Sequence, residues 1–189
     1  MICGIDEVGR GCLAGRVHAC AVVFHSEPPE GIRDSKKLTA AARSRLDLEI
    51  RASAHVSIGM AEVHEIDAIN ILQATMLAMT RAHDGLECRG SIETVLIDGN
   101  RAPRLTTDAD VRTVIGGDDS EVTIAAASIC AKVARDAEMA GLDIAHPGYG
   151  WAKNKGYGSV DHMKAIALLG PTPHHRMSFA PLRQPSLGL

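Results

Sequence analysis

The chain has 189 residues, 46% hydrophobic and 23% charged, with 3% aromatics and a formal charge of −3. That size and balance suit one soluble domain with an aliphatic core, and no apolar run reaches the roughly 18 residues a membrane span needs. The start lacks the basic region of a signal peptide, so the cytoplasm is the expected address, and five scattered cysteines without a CxxC pair indicate neither a disulfide framework nor a zinc site.

In chain order, residues 1–6 and 16–24 read as strands joined by a Gly9–Gly15 loop. Residues 40–53 read as a helix capped by Thr39, with Leu46 and Ile50 at helical spacing, and 55–61 alternate like a strand. Residues 68–83 form an expected amphipathic helix closed by Gly85, whose Met stripe reads as core. Two short strands, 94–97 and 111–115, run into Asp98-Gly99-Asn100 and Gly116-Gly117-Asp118-Asp119. An Ala-rich helix over 121–140 has Asp118, Asp119 or Ser120 available near its start, and Ser159 can cap a last helix ending near Gly170-Pro171. Gly148–Gly158, with four glycines, reads as flexible. Strands interleaved with helices, without repeats or long linkers, indicate an α/β layer fold.

Charge is uneven. Residues 151–189 carry Lys153, Lys155, Lys164, Arg176 and Arg183 against Asp161, a balance of +4, leaving −3 − 4 = −7 for residues 1–150. A phosphate-facing surface and a solvated basic surface fit that tail equally.

The most informative run is Asp6-Glu7-Val8-Gly9-Arg10-Gly11. Carboxylates suit hard divalent cations, and a glycine-flanked arginine lets backbone N–H groups and a guanidinium approach a phosphodiester. Asp6, Glu7, Asp98 and Asp118 all fall where predicted strands end, and ligand sites in open α/β sheets gather outside strand ends. Four converging acids repel one another unless cations neutralise them, which implies bound Mg²⁺ or Mn²⁺. Adjacent strand side chains point to opposite faces, so Asp6 and Glu7 share a site only if the strand bends or ends there.

The sequence resembles the ribonuclease HII family in six motifs taken in order: GIDEVGRG at 4–11, DSKKL at 34–38, VLIDGN at 95–100, AAASICAKVARDAEM at 125–139, NKGYG at 154–158 and HHRMSF at 174–179. The resemblance implies a ribonuclease-H-like fold, a mixed central β-sheet flanked by helices with a small C-terminal helical segment. It implies a single catalytic domain, about 1–145 forming the core and about 146–189 contacting substrate. Metal ligands fall on Asp6, Glu7 and Asp98, with Asp118 as the fourth, Asp119 as its possible substitute and Asp136 as the other acid of the region. The family usually has lysine before the glycine that precedes this fourth acid, and here the segment is Gly116-Gly117-Asp118-Asp119. Gly9, Arg10 and Gly11 would read the sugar edge at an RNA–DNA junction, Tyr157 would pack on the adjacent deoxyribose, and Lys36 and Lys37 would hold phosphates. Arg176, His174 and His175 would do the same at the C-terminal side. Cys12 and Arg16 stand where the family usually has proline, which predicts a looser first loop.

The implied reaction is two-metal hydrolysis 5′ to a ribonucleotide in RNA/DNA hybrids or duplex DNA, leaving 3′-hydroxyl and 5′-phosphate ends, by a monomer serving ribonucleotide removal and primer clearance. A dinucleotide-binding domain is the first rival, because Gly9-Arg10-Gly11 and Gly15 loosely imitate that fingerprint. The strand expected at 16–24 stands where the fingerprint requires a helix. An inactive hybrid-binding module, the second rival, would require a missing acid.

Overall fold

The computed structural model describes residues 1–183, so positions 184–189 of the expected C-terminal segment lie outside the described residues. A five-stranded mixed sheet runs β3-β2-β1-β4-β5: β1 (Ile2–Val8), β2 (Val17–Phe24), β3 (Ala54–Ala61), β4 (Thr94–Asp98) and β5 (Asp110–Val114). β1 pairs antiparallel with β2 and parallel with β4, so the chain's first strand lies at the sheet's centre. Helices α1 (Ala40–Ser53), α2 (Val63–Asp84) and α4 (Val122–Ala145) cover the sheet, with short helices α3 (Gly117–Ser120) and α5 (Trp151–Asn154) and a last helix α6 (Val160–Leu169).

Strand alternation sorts the core. Cys3 and Ile5 of β1 and Val17, Ala19, Ala21 and Val23 of β2 pack with Ile66, Ala74, Ala78 and Ala82 of α2. Cys20 and Val22 face the other side, with Leu46 and Ile50 of α1 and Ala126, Ala127, Ile129 and Cys130 of α4. Both faces of β2 are therefore covered, which is why it reads as a continuous apolar run. The alanines at 74, 78 and 82 recur every helical turn and let α2 lie close to the sheet. At Gly59 a Cβ would sit 2.1 Å from the Ala78 carbonyl oxygen. Small residues at the contacts explain how a chain with few aromatics fills its interior.

The expected caps are present: Thr39 accepts from the Ala42 N–H and Ser159 from the His162 N–H. Several boundaries differ, and β1 runs on to Val8 instead of ending at residue 6. α2 starts at Val63, not 68, and is broken at Asn70 (φ 67°, ψ 163°), whose Oδ1 accepts from the amides of Leu72 and Gln73 and so caps the second half. The helical periodicity continues across the break and hides it. α4 extends to Ala145 and starts from Glu121 without a side-chain cap, because Asp118, Asp119 and Ser120 are taken into the separate turn α3.

Gly148–Gly158, expected to be flexible, holds the short helix α5 and packs Tyr149 and Trp151 into the core. Its glycines at 148, 150 and 156 take positive φ, while Trp151 is fully buried between them. The Trp151 indole donates to His162 Nε2 (2.9 Å), which also lies 3.2 Å from His175 Nε2, while His162 Nδ1 is 2.8 Å from the Tyr157 carbonyl oxygen. His175 Nδ1 accepts from the Thr172 amide (2.9 Å). Neutral rings fit the network: His162 donates through Nδ1 to the Tyr157 carbonyl, and its Nε2 is shared between the Trp151 indole at 2.9 Å and the longer contact from His175.

Burial, then the neighbouring His162, pushes the His175 imidazole down to about 4. The unfolded chain takes up this proton first, so the contribution is complete above about 6.5 and is lost as pH falls toward 4. Trp151, the chain's one tryptophan, reports it. The urea midpoint of its emission change should fall as pH drops between those values, and a midpoint constant down to pH 4 would contradict the network.

Candidate active site

β1 remains a regular strand through Val8, where it still pairs with His18, so no bend brings Asp6 and Glu7 together. Its ladder to β4 stops earlier, at Ile5 opposite Ile97. Beyond that point β4 has one residue left, Asp98, and both acids border one cleft of about 260 Å³ with it. Val8, Gly9, Arg10, Gly11, Ser35, Lys36, Ser128, Lys132 and Tyr157 complete its wall.

Asp6 is only 6% exposed. Burial first, then the charges of Asp98 and Glu7, push its carboxyl up to about 8, while hydrogen bonds from Ser128 and the Glu7 amide pull the other way. The Glu7 amide donates to Asp6 Oδ1 at 2.7 Å. Burial also raises Glu7, partly offset by Arg10, whose guanidinium lies 3.7 Å from its carboxylate. Asp98 Oδ1 accepts from the Gly117 amide at 2.8 Å, which ties the end of β4 to α3. The oxygen-only donor set suits a hard divalent cation, whose charge would offset the burial and mutual repulsion that raise Asp6. Among the described residues, no three Asp, Glu, His or Cys side chains stand close enough to cage an ion, so binding one requires the side chains to draw in.

Asp118 does not border the cleft as expected: its carboxylate is drawn to Lys36 (3.2 Å), the cation on the adjacent turn. Asp119 pairs with Lys37, and neither lines the cleft. Asp136 pairs with Lys132 (2.6 Å), one helical turn away. Lys36 and Lys37 are thus each engaged by an acid.

The raised carboxyl at Asp6 has a pH signature. The unfolded chain releases this proton near pH 4 and the metal-free native chain near 8, so Asp6 stabilises the fold below about 4 and that contribution is lost as pH rises toward 8. Asp6→Asn, which cannot ionise, should gain stability relative to the parent between pH 5 and pH 8 in EDTA. Parallel melting-temperature profiles for the two proteins would contradict this.

The Gly9–Arg16 loop is fixed by two buried arginines that the sequence did not single out for this role. Arg176 is fully buried and donates to the carbonyls of Gly15 (2.9 Å), Arg10 (2.9 Å) and Arg16 (3.2 Å). It cannot serve as a phosphate contact, and His175, buried in the His162 network, cannot either. His174 is half-buried, and its carbonyl accepts from the Gly15 amide. Arg135 of α4 donates to the carbonyls of Lys155 (2.9 Å) and Ala14 (3.1 Å). At Gly9, with φ +96°, a Cβ would meet Arg135 Nε at 2.1 Å, so only glycine fits. The loop is therefore tied down despite Cys12 and Arg16, the latter paired with Glu62 at 2.9 Å. Tyr157, 49% exposed, stands beside Gly11 with its carbonyl held by His162. Ser128, Lys132 and Arg135 recur at i, i+4 and i+7 on one face of α4, a spacing that could have revealed them.

Residues 3–182 match the family model described as Ribonuclease HII. A protein named Ribonuclease HII from Rhizorhabdus wittichii is 56% identical over 187 residues, covering 98% of this chain and 91% of its own length. The PCNA:RNase HII complex from Archaeoglobus fulgidus contains a chain similar in structure, with a TM-score of 0.77 and 26% identity over 99% of this chain and 98% of that one. Bst-RNase HIII in complex with Mn²⁺ shares the fold, with a TM-score of 0.74 and 20% identity over 96% of this chain and 68% of that one.

Proposed function

Because the chain belongs to the ribonuclease HII family, and so is a hydrolytic endonuclease acting on RNA/DNA hybrids, we propose that it also cuts 5′ to single ribonucleotides embedded in duplex DNA. The observation that carries the reading is the meeting of Asp6, Glu7 and Asp98 with Gly9-Arg10-Gly11 and Tyr157 around one cleft.

In this reading Asp6, Glu7 and Asp98 hold divalent metal, Mn²⁺ or Mg²⁺, with Asp118 as the fourth ligand. The anchoring of Gly117, its chain neighbour, on Asp98 supports Asp118, as does its ion pair with Lys36, which lines the cleft. Two bound cations would supply activation of the attacking water and stabilisation of the leaving 3′-oxygen. The protein's own part is positional. Burial of Asp6 keeps water from competing for its oxygens, and Lys36, displaced from Asp118, becomes free to neutralise a phosphate. Gly9-Arg10-Gly11 presents backbone groups to the sugar edge, where the 2′-hydroxyl alone distinguishes RNA from DNA. Tyr157 packs on the neighbouring deoxyribose, and the segment from about residue 146 onward serves as the substrate-contacting part of a single domain. Lys37 contributes a second phosphate contact. Cytoplasmic work as a monomer completes the proposal; no helix among the described residues is long and apolar enough to cross a membrane.

The experiment is cleavage of an end-labelled DNA duplex containing one ribonucleotide, with Mg²⁺, with Mn²⁺ and with EDTA. One metal-dependent cut on the 5′ side, leaving a 3′-hydroxyl, is the expected result. Cleavage of continuous hybrids without any cut at a single ribonucleotide would remove the finer specificity, and metal-independent cleavage would remove the mechanism.

A further inference from the structure

A larger groove, of about 840 Å³, opens between α2 and the loop after β4. Ile69, Leu72, Met76 and Leu77 form one wall, and Arg101, Pro103 and Arg104 edge the other. No acid lines it. A smaller cleft connects it to the acids: Glu7, Arg10 and Asp98 belong to that cleft and to the acid site, while Leu72, Met76 and Arg101 belong to that cleft and to the groove. The path from the acids is therefore continuous.

Its charge is available. Arg101 and Arg104 are exposed, and neither enters an ion pair among the described residues, whereas Arg81 and Arg112 are each clamped by an acid. Two unpaired guanidiniums beside an acid-free trough complement a polyanion. The groove has no aromatic side chain, so it lacks the stacking platform that single-stranded bases use. Its aliphatic wall instead suits the edges of sugars in a duplex.

We propose, on the basis of the function above, that this groove carries the sugar-phosphate backbone of the duplex as it leaves the acid cleft, with Arg101 and Arg104 as phosphate contacts that read no sequence. An acidic apolar peptide would match the same charge, but continuity with the acids favours the nucleic acid.

The test is binding of a long hybrid duplex in EDTA across a salt series, read by fluorescence anisotropy. Each neutralised phosphate adds about 0.9 to the slope of log K against log salt, so Arg101→Gln with Arg104→Gln should weaken binding and flatten the slope by roughly 2. Arg101→Lys with Arg104→Lys should restore most of the slope, which separates lost charge from lost structure. An unchanged slope in the folded glutamine variant would overturn the proposal and leave the groove to another occupant. Because EDTA removes cleavage from the measurement, a flattened slope in a protein that later cuts no hybrid would support the groove while refuting the proposed reaction.

Discussion

Asp98→Asn is expected to lower hydrolysis on the order of a thousandfold, equivalent to about 4 kcal/mol of transition-state stabilisation, while leaving duplex binding intact. The substitution keeps a side-chain oxygen able to accept from the Gly117 amide, so the tie between β4 and α3 survives. What is lost is charge, at the end of the strand next to Asp6 and Glu7, where the proposed metal binds. Asp98 is the largest charge acting on Asp6, so the variant should also relax the upward push on that carboxyl. Removing a negative charge from a surface that faces phosphates costs no affinity. Single-turnover cleavage and binding in EDTA, measured on the same preparation, separate the two effects. Wild-type cleavage in this variant would refute the site.

Gly4→Ala should destabilise the fold by about 3 kcal/mol, the upper part of the usual range for overpacking. The new Cβ would lie 2.2 Å from the Thr123 carbonyl carbon and 2.5 Å from the Ile124 nitrogen. Both sides of that contact are backbone, one in the central strand and one in the first turn of α4, so no side chain can rotate away. Relief requires α4 to move off the sheet, and α4 carries Ser128, Lys132 and Arg135, which border or support the cleft. The opposite sign is expected at Gly141 in the same helix, where a Cβ meets nothing within 4 Å. There alanine should stabilise by about 0.5–1 kcal/mol through helix propensity alone. Urea unfolding of both variants provides the comparison. Equal effects would mean that the close approach at Gly4 does not limit packing.

Local signals were legible wherever one element's own residues decide its structure. Thr39 and Ser159 cap their helices because capping is an interaction over three residues. Leu46 and Ile50 are buried because helical spacing selects one face. Asp98 ends β4 as its apolar run indicates, and the meeting of Asp6, Glu7 and Asp98 in one cleft could be anticipated, although Asp6 and Glu7 lie inside β1, which runs on to Val8.

Other features belong to the tertiary structure. Asp6 and Glu7 share the cleft because the ladder from β1 to β4 stops while the ladder to β2 continues, a matter of register between strands some 90 residues apart in sequence. Arg176 reads as a basic tail residue until it is seen donating to Arg10, 166 positions away, and Arg135 reads as an ordinary helix residue until Ala14, 121 positions away, accepts from it. The sequence by itself determined the elements, their faces and the acids, because those depend on periodicity and residue chemistry. Only the tertiary structure decided which charges are buried, which are paired and which remain free, because burial and pairing depend on neighbours the chain brings from far away.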